Sequence, residues 1–155
     1  MRRGRRIGVD VGDARVGIAQ CDPDGILATP VETLRRDGSD IRRAAQIVGE
    51  AEAIEVVVGL PLNMDGSEGR SAAKARSWAR KLARKIEPVG VRLVDERLST
   101  VSAHAQLSAA GRDSRTHRTV VDQAAAVIIL QTALDWERRT GLAPGHGIDD
   151  ALETH

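Results

Sequence analysis

The sequence predicts an α/β domain with a mixed central sheet, its first three strands antiparallel and its helices flanking the sheet. Three observations predict it. Turn signals at Gly12-Asp13-Ala14 and Asp22-Pro23-Asp24-Gly25 divide the first part of the chain into short alternating runs joined by tight connections. Further on, Glu55-Val56-Val57-Val58-Gly59-Leu60 is a β-branched run of the kind a parallel sheet buries. From there strand and helix signals alternate, which is the pattern of an α/β layer architecture.

Taken in order, the patterns give strands over about 5–11, 15–21 and 26–34, then a helix capped by Ser39 or Asp40 and running to about 53. The strand 55–60 leads into a polar loop from Pro61 to Gly69. A helix starting at Ser71 runs to about 86, and a strand over 89–94 ends at Asp95-Glu96. A helix from Ser99 or Thr100 to about Ala110, a basic linker from Gly111 to Thr119 and a last helix from 120 to about 138 complete the order βββαβαβαα. Beyond Thr140, Gly, Pro and acidic residues lack periodicity, so residues 1–138 are expected to form the domain and 139–155 a flexible tail.

Composition narrows the function. A chain of 155 residues, 41% of them hydrophobic, suits one domain with a sizeable core. Cys21 is the single cysteine, which excludes an intrachain disulfide and multi-cysteine zinc sites and fits a reducing cytosol. The basic start Met1-Arg2-Arg3-Gly4-Arg5-Arg6 is not followed by an apolar signal segment, and no apolar run reaches membrane-spanning length, so the expectation is a cytoplasmic protein without a membrane partner. Phe and Tyr are absent and Trp78 and Trp136 are the only aromatics, which argues against base stacking on a sheet face. Nucleic acid, if bound, is gripped by its backbone.

Three acids stand at the edges of buried structure. Asp10 interrupts the first strand, where a carboxylate is expensive, and Gly8 and Gly12 beside it suggest close approach of a small anion or a metal-bound phosphate. Glu96 follows the apolar strand Val91-Arg92-Leu93-Val94 at its carboxyl end, where ligands bind in open α/β sheets. Asp122 opens a helix that is apolar almost all round. Each also has a plain structural explanation: a hairpin turn for Asp10, an ion pair with Arg97 for Glu96, and a capping box with Thr119 for Asp122. Together, without a His or Cys cluster, they suit oxygen-only ligation of Mg²⁺ or Mn²⁺, and a pair of such ions can activate water against a phosphodiester. The chain offers a matching polyanion grip. Arg70, Lys74, Arg76, Arg80, Lys81, Arg84 and Lys85 share one helix without an acid, and Arg112, Arg115, His117 and Arg118 precede Asp122.

These residues resemble the YqgF (RuvX) family of the RNase H-like superfamily, relatives of the RuvC Holliday-junction resolvases. The resemblance is carried by Gly8-x-Asp10-x-Gly12-x-x-Arg15-x-Gly17-x-Ala19, by Val57-Val58-Gly59-Leu60-Pro61-Leu62-Asn63-Met64-Asp65-Gly66-Ser67-Glu68-Gly69, by Asp95-Glu96-Arg97-Leu98-Ser99-Thr100 and by Asp122-Gln123-Ala124-Ala125-Ala126. It implies an RNase H-like fold with Asp10, Glu96 and Asp122 as catalytic, metal-binding acids. It further implies an endonuclease acting on structured nucleic acid, with maturation of the 5′ end of precursor 16S rRNA as the expected role.

Arg15, Arg97, Arg112, Arg115 and Arg118 are then the expected phosphate-positioning residues, and the 61–70 loop is expected to lie over the strand being cut. Resolution of four-way DNA junctions is the alternative activity. It requires two sites related by a two-fold axis and hence a homodimer. A non-catalytic RNA-binding module is a further alternative. The actin-like ATPases and kinases share an acid-bearing first hairpin but need a second domain to enclose nucleotide.

Overall fold

Strand β1 (Arg6–Val11) turns back into β2 (Arg15–Cys21) through a hairpin closed by the Gly12 N–H donating to the Arg15 carbonyl at 2.8 Å. The pairing is antiparallel and sets Asp10 opposite Gly17. At the next turn the Asp22 carboxylate accepts the amides of Asp24, Ile26 and Leu27, and Gly25 takes φ +69°. Because Ile26 and Leu27 spend their amides there, β3 (Ala28–Arg35) begins two residues later than its β-branched pattern suggests. Helix α1 (Asp40–Ala51), β4 (Glu55–Leu60), α2 (Arg70–Ile86), β5 (Gly90–Asp95) and a single 3₁₀ turn (Glu96–Leu98) follow in the predicted order.

The computed structural model describes residues 1–98 and 115–148, without the side chains of Leu98 and of residues 115–122. The helix expected over 99–110 and the position of Arg112 lie outside the described residues. Helix α3 (Arg115–Thr140) is longer than predicted, and its start corrects two expectations. Residues 115–119, read as linker, are helical. Thr119 and Asp122 therefore sit inside the helix rather than at its first turn, so a capping box does not account for Asp122.

The sheet has strand order β3-β2-β1-β4-β5-β6, with β1, β4 and β5 parallel and the others antiparallel. Strand β6 (His146–Gly147) was not foreseen. It pairs with the edge of β5 within the segment expected to be a flexible tail, and that segment is further held by Arg92 donating to the Pro144 and Gly145 carbonyls and by Arg76 donating to the Ile148 carbonyl. A low-periodicity stretch can be fixed in this way because arginines from neighbouring elements satisfy its backbone.

Period-2 alternation sorts the strand residues between two cores. Ile7, Val9, Val16, Ile18, Val56, Val58, Leu60, Val91 and Leu93 pack with α1 and α2 on one face. Ala19, Cys21, Ala28, Val57 and Val94 pack with Ala126, Ile129, Leu130, Ala133 and Leu134 of α3 on the other. Gly8, Asp10 and Gly59 belong by alternation to the α3 face. Gly8 is glycine because α3 crosses it closely: a Cβ there would meet Leu130 Cβ at 2.6 Å and the Ala126 carbonyl oxygen at 2.9 Å. A Cβ on Gly12 would meet the Arg15 carbonyl oxygen at 2.9 Å, inside the hairpin turn. These two glycines, expected to admit an anion, instead admit a helix and a tight turn.

Candidate active site

Three parallel strands bring the site together. Val9 pairs with Val58, and Gly59 pairs with Val94, so the carboxyl ends of β1, β4 and β5 lie side by side. Asp10 is on β1, and Glu96 follows β5 directly in the 3₁₀ turn. The Glu96 side chain folds back across β4, where a Cβ on Gly59 would meet Glu96 Oε1 at 2.5 Å and Ile129 Cδ1 at 2.6 Å. Gly59 is thus a cradle that lets a carboxylate pass over the strand. At the end of its path Glu96 hydrogen-bonds Asp10.

This arrangement excludes the ion pair first considered for Glu96. Arg97 binds Asp95 instead, through its backbone N–H at 2.9 Å and its guanidinium at 2.8 Å, and donates from Nη1 to the Met64 carbonyl at 3.2 Å. It therefore ties the 61–69 loop to the end of β5. The loop is itself a closed turn: Asn63 N–H donates to the Ser67 carbonyl, and the Asp65 carboxylate accepts the Ser67 amide and hydroxyl.

Burial, the charge of Asp10, the hydrogen bond to Asp10 and the charge of Asp95 together push the Glu96 carboxyl up to about 7. The carboxylate of Asp10 is thus part of what holds the Glu96 proton. Among the described residues no three His, Cys, Asp or Glu side chains form a metal-holding group. Asp122 lies on α3 four residues before Ala126, the residue whose carbonyl covers Gly8, and its side chain is outside the described residues. The structure therefore brings Asp10 and Glu96 together and leaves Asp122 located by its backbone alone.

Of the expected phosphate contacts, Arg15 begins β2, Arg97 is engaged as above, and Arg115 and Arg118 fall in the first turns of α3. Neither tryptophan lies on the sheet face for stacking. Trp78 is buried and donates to Asp40 at 2.8 Å, and Trp136 sits near the far end of α3 beneath Arg139. The role of Gly59 is not visible in the strand pattern alone. The signal that could have found it is its place one residue before the end of an otherwise β-branched run.

A sequence model of the RuvX family, described as Holliday junction resolvase, matches residues 4–136. The chain belongs to this family. Members of close sequence include a Streptomyces avermitilis protein, 59% identical over 153 residues with 96% of this chain and 97% of that protein covered. A Thermobifida fusca protein is 53% identical over 156 residues, covering 96% and 98%. Both carry the provisional name pre-16S rRNA nuclease. Thermus thermophilus RuvC, solved in complex with a Holliday junction substrate, superposes with a TM-score of 0.58 at 14% identity, covering 91% of this chain and 99% of that one. The fold is therefore RNase H-like, in agreement with the family resemblance of the sequence.

Two predictions arise from the geometry. An Ala at Gly59 meets only the far ends of side chains, the Glu96 carboxylate and Ile129 Cδ1, whereas an Ala at Gly8 meets α3 backbone and Leu130 Cβ. Gly59→Ala is expected to displace Glu96 and depress activity by an order of magnitude or more, with a stability loss below about 1 kcal/mol. Gly8→Ala is expected to destabilise by about 1–3 kcal/mol. Chemical denaturation and cleavage rates measured on both variants check the contrast, and equal stability losses would refute it.

The second concerns pH. The folded-state Glu96 carboxyl lies at about 7, above its ordinary value of 4.5, so the contribution of this one group to metal-free stability is fully present below about pH 4.5 and is lost as pH rises through 7. Glu96→Gln removes the charge responsible. It is expected to stabilise metal-free protein by about 1–3 kcal/mol at pH ~8 and by little at pH ~5. Thermal melts with chelator at the two pH values give the result, and a variant that melts lower at pH ~8 would contradict the paired-acid geometry.

Proposed function

We propose that this protein is a cytoplasmic, divalent-metal-dependent endonuclease that hydrolyses phosphodiesters of structured nucleic acid, and that its substrate is the 5′ end of precursor 16S rRNA. The observation that carries this reading is the Asp10–Glu96 pair held over the Gly59 cradle at the carboxyl ends of three parallel strands. The names of relatives above half identity supply the substrate class.

The residues present fit an oxygen-bound cation. Two carboxylates meet across Gly59, and the charge of Asp10 helps raise a Glu96 carboxyl that a divalent ion would bring down again. Asp10 and Glu96 would hold Mg²⁺ or Mn²⁺, as a pair of ions, with Asp122 completing the set. Such ions supply activation of water and stabilisation of the departing oxygen.

The chain itself does the rest. Asp95 takes the Arg97 guanidinium at 2.8 Å, so that Arg97 is not the partner of Glu96. Arg97 fixes the 61–69 loop beside the site through the Met64 carbonyl. Ile129, packed over Gly59, shields one side of Glu96 from water.

A second reading, resolution of four-way DNA junctions, is favoured by the description of the family model. The deciding experiment incubates purified protein with labelled precursor rRNA and with a four-way DNA junction, each with Mg²⁺, Mn²⁺ or chelator. Metal-dependent cleavage at a discrete site in the RNA is expected. Cleavage of the junction alone selects the second reading, and binding without cleavage under any metal selects a non-catalytic RNA-binding module.

A further inference from the structure

The β1–β2 turn begins just past Asp10, and cations from β2, β3, the connection after β3 and α2 gather around it. Arg15 at the start of β2 pairs directly with Arg35 at the end of β3. Val16 and Leu34 join the α1/α2 core, so by alternation Arg15 and Arg35 both project to the face that carries Asp10.

On the other side of the turn, Arg36 Nη1 donates to the Gly12 carbonyl at 3.2 Å, and Lys74 Nζ lies 2.6 Å from Asp13 Oδ1. Arg70 opens α2, whose first turn carries no acid. Among the described residues, the acids on this side of the turn are Asp13, Asp37 and Asp40. Asp37 is taken by the Ser39 amide and hydroxyl, and Asp40 by Trp78 Nε1, with Arg36 Nε at 3.9 Å. Of these three, Asp13 is the one paired to Lys74, its side chain 81% accessible. The hydrogen bond from Lys74 and then the charges of Lys74, Arg70 and Arg36 hold that carboxyl below the usual range. It occupies the place an external anion would take.

We propose that Arg15, Arg35, Arg36, Arg70 and Lys74 form a phosphodiester-backbone site straddling the β1–β2 turn, in which an incoming phosphate displaces Asp13 from Lys74. The site carries the strand leading away from Asp10 and Glu96. Its ligand class rests on the nuclease reading above, and its chemistry is shared by RNA and DNA.

The test is binding of a labelled single-stranded RNA and of the matching DNA, in chelator, across about 50 to 200 mM salt. Wild type is compared with Arg35→Ala/Arg36→Ala/Lys74→Ala, with Asp13→Asn, and with Arg138→Ala/Arg139→Ala at the far end of α3. Each lost phosphate contact lowers the slope of log affinity against log salt by about 0.7 on a single strand, so the triple variant is expected to lose about 2 in slope and at least tenfold in affinity on both strands. Asp13→Asn is expected to tighten binding severalfold, and the far-end variant to change it less than twofold.

An unchanged slope in the triple variant overturns the site. So does weaker binding by Asp13→Asn, which is what a purely structural Lys74–Asp13 tie produces. A loss confined to RNA assigns the patch to sugar rather than phosphate and also overturns it. If wild type binds in chelator and cleaves once Mg²⁺ or Mn²⁺ is added while the triple variant keeps its slope, this site only is removed, whereas wild type that neither binds in chelator nor cleaves with metal removes the nuclease reading with it.

Discussion

Asp10→Asn is expected to reduce phosphodiester cleavage by at least about a hundredfold while leaving the metal-free protein as stable as wild type or more so. The two halves of this expectation have one cause. Asp10 and Glu96 share a hydrogen bond and repel each other as they ionise, and the repulsion contributes to the raised Glu96 carboxyl. An Asn at this position keeps the size of the side chain and can donate its amide to Glu96, so the hydrogen bond survives and the repulsion goes. What the amide lacks is the charge that a divalent cation requires of its ligands.

Wild type should therefore gain melting temperature as free Mn²⁺ or Mg²⁺ rises above its dissociation constant, by mass action, and Asp10→Asn should lose most of that gain. The measurements are single-turnover cleavage and thermal melts across a metal titration with a chelated control. Cleavage by the variant at close to the wild-type rate would remove Asp10 from the reacting centre. Wild type unmoved by either metal, together with a variant that melts lower in chelator, would return Asp10 to a structural role.

Much of this site is legible in the sequence because it is written in strand periodicity. Ile7 and Val9 alternate with Gly8 and Asp10, so the acid must face the layer opposite to the apolar pair, and the same alternation puts Gly59 on that face. The carboxyl end of the strand over 89–94 marks Glu96 before any coordinates are known. Other features are tertiary, and local pattern does not encode them. The reason Gly8 lacks a side chain is the path of α3, contributed by residues more than a hundred positions later.

The partner of Arg97 is equally hidden. Asp95 and Glu96 are adjacent carboxylates in sequence, and only the open path across Gly59 decides that Glu96 turns inward while Asp95 takes the guanidinium. Strand β6 has two residues and no periodicity to read, and it exists because β5 offers an unpaired edge. The start of α3 moved for a related reason. Arg115 to Thr119 carry no strong apolar period, so propensity alone made them a linker, whereas they continue a helix whose later turns are held by the sheet.

Glu137→Gln is expected to destabilise the protein by about 3–5 kcal/mol. Glu137 lies at the end of α3 remote from Asp122, is 2% exposed, and accepts hydrogen bonds from the Arg2 backbone, the Arg2 guanidinium at 2.7 Å and Arg6 Nη2 at 2.9 Å. Arg6 is buried to the same degree on β1 and has an Nε without a hydrogen-bond partner, so the charge on Glu137 is what compensates it. Burial alone would push the Glu137 carboxyl up. The hydrogen bonds from Arg2 and the charges of Arg6 and Arg2 outweigh burial and hold it at about 2.

A folded-state value below the ordinary 4.5 means that the contribution is present above about pH 4.5 and is lost as pH falls through 2. Urea denaturation of wild type and Glu137→Gln near neutral pH should therefore show the full difference, and the gap should narrow as the acid range is entered. A loss under about 1 kcal/mol near neutral pH would mean that water already compensates Arg6. The double change Arg6→Met/Glu137→Met separates attraction from desolvation: because both buried charges leave together, it should recover most of the stability that Glu137→Gln loses. The same cluster bears on catalysis through geometry, since it pins one end of α3 to β1 while Gly8 and Gly59 fix where the helix crosses the sheet. A helix released at Glu137 is free to shift over Gly59, so the single variant should lose cleavage activity along with stability and the repacked double variant should regain both.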